Sequence, residues 1–366
     1  MLVALLAVTL CVSAVTPAAP ATTTTADTAT DAPHNYRDRN FDYFVVGDPR
    51  LPRAAHTEFA LILMGGGSYV DAAYAAIASH GGGGHMLVLR SVSDDSFDPD
   101  DGNLGQRFAA GWGPVTSTET ITFHNRGASF DPRVIAALNG ADGIFLAGGD
   151  QSNYIRYWKG TPVQAALNAH ALANRPIGGS SAGLAVLGHY SYTAMDGGSL
   201  ESKVAIADPF NVGVTLEDDF LHFRYLENVI TDTHFSGRSR LGRLIVFVAR
   251  LDKASADRPV VGIGVDEKSA VIIESNGIGR LAPGSAGSAW LVEIPSVAAV
   301  LTAGEPLTAG NIHITRLDKS SRIDFATHLV TKPAAEVIDS IDGGTPKADP
   351  LTAVMMQRDL VPPDES

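Results

Sequence analysis

The stretch Pro176-Ile177-Gly178-Gly179-Ser180-Ser181-Ala182-Gly183-Leu184-Ala185-Val186-Leu187 decides the fold. It opens as a short strand and closes as an apolar run that suits a helix. Between them, Gly179-Ser180-Ser181-Ala182-Gly183 fits the pattern G-x-S-x-G, which asks for a sharp strand-to-helix turn holding the central serine strained and exposed. Small flanking residues permit so tight an approach. A helix starting at about Ala182 aims free backbone N–H groups at negative charge developing beside the serine. Ser181 is therefore the candidate nucleophile. Ser180 precedes the centre of the turn and would be turned away from the site. The plain alternative is a Gly/Ser packing turn with no chemistry.

Apolar runs alternate with helical patterns on either side of this turn. Phe59-Ala60-Leu61-Ile62-Leu63-Met64 predicts a buried strand ending in Gly65-Gly66-Gly67, with a helix from Val70 to Ser79 behind it. Met86 to Leu89, Thr120 to Phe123 and Gly143 to Leu146 predict further strands. Helices are expected over Pro132 to Leu138 and over Val163 to Leu172, the latter with Pro162 near its start. This alternation predicts an α/β fold, a doubly wound and mostly parallel sheet flanked by helices, with functional segments at strand C-termini. The less periodic section from Met195 to Phe223 reads as an excursion near the site. Beyond it come a strand at Val229 to Thr231, a helix from Leu241 to Ala249 and a strand at Ala289 to Ile294. Pro259 to Val265 and Ala270 to Ile273 look like paired strands around Asp266-Glu267-Lys268-Ser269.

The chain has 366 residues, 45% hydrophobic and 18% charged, with a formal net charge of −13. Such a composition belongs to a soluble globular protein, and the acidic balance argues against nucleic acid as a partner. An anionic substrate stays open, since a local Arg cluster can work inside an acidic shell. The N-terminus is apolar from Leu2 to about Val15, too short for a membrane span, and fits the h-region of a signal peptide despite lacking a basic n-region. The expected division is a signal peptide over 1–20, a disordered Thr-, Ala- and Asp-rich linker over 21–40, a catalytic domain over 41–330 and a peripheral tail over 331–366. Secretion or a periplasmic location is expected, with no membrane contact after cleavage. The one cysteine, Cys11, lies in the cleaved segment and follows Leu10 rather than the small residue a lipoprotein needs. The mature chain then has no disulfide, thiolate nucleophile or Cys-based metal site. No H-E-x-x-H or comparable spacing occurs, so neither a metal nor a cofactor is expected. Met64-Gly65-Gly66-Gly67 lacks a clean G-x-G-x-x-G, and Arg90-Ser91 stands where a nucleotide site wants an acid after the second strand.

Four other segments carry candidate chemistry. Gly148-Gly149-Asp150-Gln151 ends a buried strand. An N–H at Gly149 could complete an oxyanion hole with that of Ala182, and Gln151 could hydrogen-bond substrate. The alternative is a plain turn. Asp232-Thr233-His234-Phe235 also follows a strand, where His234 could take the serine proton as general base, or merely cap a helix. Arg238, Arg240 and Arg243 come next. Guanidinium forks pair with carboxylates, although a run of charge is commonly just a solvated face. Gly262-Ile263-Gly264-Val265-Asp266-Glu267 puts two acids at a strand end. Alternation points them to opposite faces, so one at most reaches the histidine ring; the alternative is an acidic hairpin turn.

Taken in order from about Leu61 to Leu291, these five segments and the Gly65-Gly66-Gly67 loop resemble the cyanophycinase-like serine peptidases, peptidase family S51, relatives of the aspartyl dipeptidase peptidase E. The resemblance implies a fold similar to class I glutamine amidotransferases, with serine for the usual cysteine. It implies Ser181 as nucleophile, His234 as base and Glu267 as the acidic third member, with Asp266 as the other choice. Gln151, Asp232, Arg238, Arg240 and Arg243 resemble substrate-binding positions. The family substrate, cyanophycin, is a polyaspartate carrying arginine on each side-chain carboxyl, cut to β-aspartyl-arginine dipeptides. The implied partner is a peptide with aspartate and, optionally, arginine groups; a homodimer is compatible with it. Two positions depart from the family. Thr233 stands where cyanophycin-degrading members typically carry Gln, and Ser180 where Thr is usual. A related β-aspartyl or Asp-linked peptide is therefore equally admissible. An α/β-hydrolase esterase would instead need the order Ser, acid, His, with a late histidine such as His313 or His328. A non-catalytic binding protein on the same scaffold is the other alternative.

Overall fold

The computed structural model describes residues 35–91, 103–196, 198–255, 259–295 and 298–347. The expected signal peptide and linker residues 21–34 lie outside the described residues. Alternation along the central strands sorts their side chains into two cores. Leu61, Leu63, Leu87, Leu89, Ile144 and Leu146 enter one, with Val134, Trp158 and Leu167 from helices Pro132–Gly140, Gln151–Trp158 and Pro162–Leu172. Ala60, Ile62, Met64, Met86, Val88 and Phe145 enter the other, with Ile77 from helix Asp71–His80 and Phe108 from helix Asn103–Gly111. A strand buried on both faces has to be covered by helices on both faces, and this one is.

Five strands run parallel in the order Ser117–Phe123, His85–Ser91, Gly143–Leu146, Ile177–Ser180 and Ala60–Met64. The expectation of a mostly parallel sheet needs correction outside this centre. Phe41–Gly47 pairs antiparallel on one side and Ala270–Glu274 on the other. Ile278–Leu281, Arg322–Asp324 and Val330–Thr331 extend the second side, all antiparallel, to an eleven-stranded mixed sheet among the described residues. Short turns such as the one joining Ala270–Glu274 to Ile278–Leu281 leave no room for a helical crossover and force antiparallel neighbours.

A second sheet begins with Val229–Asp232 parallel to Val261–Val265, connected by the buried helix Leu241–Ala254. Ala289–Glu293, Thr308–Leu317, Ala335–Asp342 and Thr345–Pro346 follow antiparallel. The expected pairing of the segments around Asp266–Ser269 is therefore corrected: Val261–Val265 lies in this sheet and Ala270–Glu274 in the first. Both strands are buried on nearly every residue, so their sequences carry no in–out alternation to fix a partner. The turn between them crosses from one sheet to the other.

Both ends of the described chain reach further than expected. Tyr36–Arg37, assigned to the linker, pairs with Asp42 and Tyr43. Ala335–Asp342, assigned to a peripheral tail, lies along Thr308–Leu317. Its half-exposed, acid-bearing pattern conceals a strand lacking the continuous apolar run of the central ones.

At the turn that opened the sequence, Ser181 has φ 52 and ψ −117, followed by the short helix Ala182–Ala185. A positive φ on a non-glycine residue is costly and is held by its surroundings. Here the surroundings are glycines. A Cβ on Gly179 would lie 2.5 Å from the Gly183 carbonyl carbon, and one on Gly183 would lie 2.0 Å from the Leu146 carbonyl oxygen. Gly183→Ala is expected to destabilise the protein by about 3 kcal/mol through overpacking, measured as a shifted urea midpoint.

Candidate active site

Three strand ends converge on Ser181. Its Oγ lies 2.8 Å from His234 Nε2, and His234 Nδ1 lies 2.6 Å from Glu267 Oε1. Ser181 follows Ile177–Ser180 of the first sheet, and His234 follows Val229–Asp232 of the second. Glu267 rides the turn that crosses between the sheets. Ser180 lines the neighbouring cleft and is not the serine bonded to His234.

Asp266, the other acid considered for the third place, faces elsewhere. It accepts the Ser236 and Ser288 peptide N–H groups at 3.0 and 2.8 Å and Trp290 Nε1–H at 3.2 Å. It anchors the turn, while Glu267 meets the imidazole. Neither late histidine meets Ser181: His313 lies mid-strand, opposite Glu293 in the second sheet, and His328 lies beyond Arg322–Asp324.

The Gly65-Gly66-Gly67 loop has a role that its sequence did not disclose. The His234 N–H donates to Gly65 O at 2.7 Å, and the Lys268 N–H donates to Gly66 O at 2.8 Å. One loop thus fixes the backbone beside both His234 and Glu267. A Cβ on Gly66 would fall 2.4 Å from His234 Nε2. Three glycines at a strand end were the visible signal, and they signalled close approach of backbone to a side chain rather than to a phosphate.

Burial pushes the His234 imidazole well below its ordinary 6.5. The hydrogen bond to Glu267 opposes this shift, and the charges of Arg238 and Arg240 reinforce it. Burial alone would raise the Glu267 carboxyl, but the hydrogen bond to His234 and the charges of His234, Arg238 and Lys268 hold it below the usual glutamate value. At neutral pH the pair is a neutral imidazole beside a carboxylate. Glu267 then accepts the Nδ1–H, and Nε2 is left with a lone pair for the serine hydroxyl.

Ser181 and His234 sit between two clefts. The smaller, about 410 Å³, is lined by Gly149, Gln151, Arg156, Ala182, Arg238 and Arg240, among others. Gly149, at φ 144, holds a conformation that strains any side chain. Asp150 then caps helix Gln151–Trp158 by accepting the Ser152 N–H at 2.8 Å, which sets Gln151 at the cleft. Arg156 was not singled out in the sequence, where a lone helical arginine looks like any solvated residue. Its guanidinium donates to Ser152 Oγ at 3.0 Å and to the Met195 carbonyl at 3.1 Å, inside the less periodic excursion. The larger cleft, about 890 Å³, is lined by Ser180, Ser181, His234 and Glu267, with Gly66 and Lys268 among others.

The three arginines of the run have different positions. Arg243, expected to bind substrate, is 1% exposed and lines neither cleft. Its Nε and Nη2 donate to both Asp232 oxygens at 2.8 and 2.5 Å, and its guanidinium stacks 4.9 Å from the Tyr192 ring centre. Asp232, expected to meet substrate too, is 2% exposed and serves as this counter-ion. A buried charge must be paired, so each satisfies the other. Arg240 borders the smaller cleft but spends its donors on the Thr233 carbonyl at 2.9 Å, Thr233 Oγ1 at 3.0 Å and Ser199 Oγ at 2.9 Å. It steadies the residue preceding His234. Arg238 is the accessible member, its side chain 35% exposed and lining both clefts. Among the described residues, no group of three or more His, Cys, Asp or Glu is placed to hold a metal ion.

Residues 121–279, which include Ser181, His234 and Glu267, match the model of peptidase family S51. A cyanophycinase of Trichormus variabilis is 29% identical over 231 residues, 61% of this chain and 70% of that protein. A cyanophycinase of Synechococcus elongatus is 28% identical over 254 residues, 68% of this chain and 73% of that one. The chain is thus similar to peptidase family S51 across the stretch that carries the three site residues. It is a cyanophycinase-like, serine-type peptidase. A crystal structure of a peptidase from an acI-B1 Actinobacterium aligns over 74% of this chain and 98% of its own, with a TM-score of 0.48 and 16% identity. In this cyanophycinase-like peptidase the buried arginine and the accessible one should respond differently to substitution. Asp232→Ala, which strands the Arg243 charge, is expected to cost about 3–5 kcal/mol of stability. Arg238→Ala should change it by no more than about 0.5 kcal/mol. Urea unfolding of the two variants measures the contrast.

Proposed function

We propose that this peptidase hydrolyses cyanophycin or a related β-aspartyl or Asp-linked peptide through an acyl-enzyme on Ser181. The observation that carries the proposal is the relay of 2.8 and 2.6 Å from Ser181 through His234 to Glu267. In this scheme His234 Nε2 takes the hydroxyl proton as Oγ attacks the scissile carbonyl carbon. The carbonyl electron pair moves onto oxygen, beside the N–H groups of Gly149 and Ala182. Collapse breaks the C–N bond, and the proton on Nε2 goes to the departing amine. Water then repeats the attack on the ester, His234 again takes a proton, and the acid product leaves as Ser181 recovers its own.

Three features support the choice of substrate. The relatives named above are cyanophycinases. Arg238, Arg156 and Gln151 border the smaller cleft, a set suited to carboxylates of an aspartyl group. Thr233 stands where a Gln is typical, and its hydroxyl is occupied by Arg240, which keeps shorter β-aspartyl peptides in consideration. We further propose that the parallel centre and the strained serine turn are of the class I glutamine amidotransferase kind, with Ser181 at a nucleophile elbow. This rests on the strand order and on the positive φ.

Ser181→Ala is expected to lower kcat at least about 10⁴-fold with an unchanged urea midpoint, followed as dipeptide release from cyanophycin. Turnover that survives this substitution would remove the proposal. The pH dependence follows from the lowered His234 value. Catalysis needs the neutral imidazole, present above the folded-state pKa, so the acid limb of kcat/KM should fall below pH 6.5. Glu267→Gln, which removes the carboxylate partner, should cut kcat far more than it changes KM.

A further inference from the structure

Three non-glycine residues at the relay stand in the left-handed region of backbone space: Ser181 at φ 52, His234 at φ 46, and Lys268, next to Glu267, at φ 55. Such a conformation is costly and persists only where its neighbours hold it. For His234 the hold is a set of hydrogen bonds on successive residues. Its own N–H donates to Gly65 O at 2.7 Å, the Phe235 N–H to Val265 O at 3.2 Å and the Ser236 N–H to Asp266 Oδ1 at 3.0 Å. The first two acceptors are main-chain carbonyls, which any sequence supplies. The third is a side chain, and the Ser236 hydroxyl donates to the same oxygen at 2.5 Å.

The strands alone would not bring the right acid to the base. Val229–Asp232 and Val261–Val265 lie parallel, with Asp232 opposite Gly264. Carried past the strand ends, that register sets His234 opposite Asp266, yet it is Glu267 that meets the ring. The chain turns at His234 instead, and the Asp266 carboxylate reaches across to Ser236. Asp266 is buried and lines neither cleft. Its Oδ2 accepts the Ser288 N–H at 2.8 Å, and Trp290 Nε1–H donates to Oδ1 at 3.2 Å. Its surroundings are closed: a Cβ on Gly287 would fall 2.7 Å from the Asp266 Cβ, and one on Gly65 would fall 2.1 Å from the Asp266 carbonyl oxygen.

We infer that Asp266 is a positioning residue whose carboxylate holds the strained main chain around His234 against the turn that presents Glu267, and so sets the distance across which base and acid meet. This rests on Ser181 and His234 acting as proposed above. Both Asp266 oxygens act only as acceptors, for donors on opposite sides. An asparagine has the same size but one acceptor oxygen and an NH₂ group. Whichever way it is turned, a buried N–H then faces another donor, so the hold is lost without a change of volume.

The test measures kcat and KM on cyanophycin for the wild type, Asp266→Asn, Glu267→Gln and the double variant. Asp266→Asn should lower kcat about tenfold or more and leave KM within about twofold. In the Glu267→Gln background the same change should cost less than about threefold, because the pairing it protects is already gone. An unchanged kcat in Asp266→Asn, or an equal loss in both backgrounds, overturns the inference. Proton NMR reads the pair without turnover. The His234 Nδ1 proton, carried downfield by its bond to Glu267, should persist in Ser181→Ala and be lost or move upfield in Asp266→Asn. A resonance unmoved by Asp266→Asn also overturns the inference, whereas turnover surviving Ser181→Ala sinks the nucleophile alone and leaves this readout standing. Where Asp266→Asn does not fold, Trp290→Phe carries the same measurements, since it removes one donor and keeps the carboxylate. A lower kcat at constant KM with a shifted Nδ1 proton is then expected, and no change in either overturns the inference.

Discussion

A methyl group at position 66 would lie 2.4 Å from the nitrogen that bonds to Ser181. The site depends on that missing side chain. His234 needs its ring against the serine and its N–H on Gly65, and both are available only where the chain after Ala60–Met64 is bare. The same constraint recurs beneath the nucleophile, where Gly179 and Gly183 let strand and helix meet at distances no Cβ tolerates. Glycine usually loosens a chain. Here it lets stiff elements approach until a hydrogen-bonded relay can form.

The relay also depends on a junction between sheets. Asp266 and Glu267 are neighbours in sequence with divided tasks. Asp266 gathers donors from Ser236, Ser288 and Trp290 and thereby secures the crossing turn, while Glu267 holds the imidazole. Behind His234, the Asp232–Arg243 pair and Arg240 bind the preceding strand end to the excursion at Ser199. Charges buried this deeply are tolerated because each donor has an acceptor, and the cost of separating them resists movement of the base.

Much of this was legible from residue types and spacing. The continuous apolar runs at 61–64 and 86–89, alternating with helical patterns, disclosed a strand layer covered by helices on both faces. Ser181 and His234 were named from turn and strand-end contexts, which left Asp266 and Glu267 as alternatives until the family resemblance favoured Glu267, and the structure brings Ser181, His234 and Glu267 into contact. The sheet partner of Val261–Val265 was not legible. A strand buried on both faces looks the same in either sheet, and the turn after it is as short as a hairpin loop. The Arg run misled for a related reason. Sequence states that Arg238, Arg240 and Arg243 are charged but not how far each lies from water, and Arg243 is sealed against Asp232 while Arg238 is open. Ala335–Asp342 was missed because an outer strand needs apolar residues on one side only.

The crossing turn has a consequence for how a protein-cutting enzyme comes into being. The first sheet brings the nucleophile and the second brings the base. The acid is set only when residues 266–269 have linked the two. A chain with the first sheet alone holds a serine hydroxyl no more reactive than any other. Hydrolytic power therefore requires both sheets and the turn between them rather than the nucleophile alone, and a molecule lacking either sheet is disarmed toward its neighbours and itself.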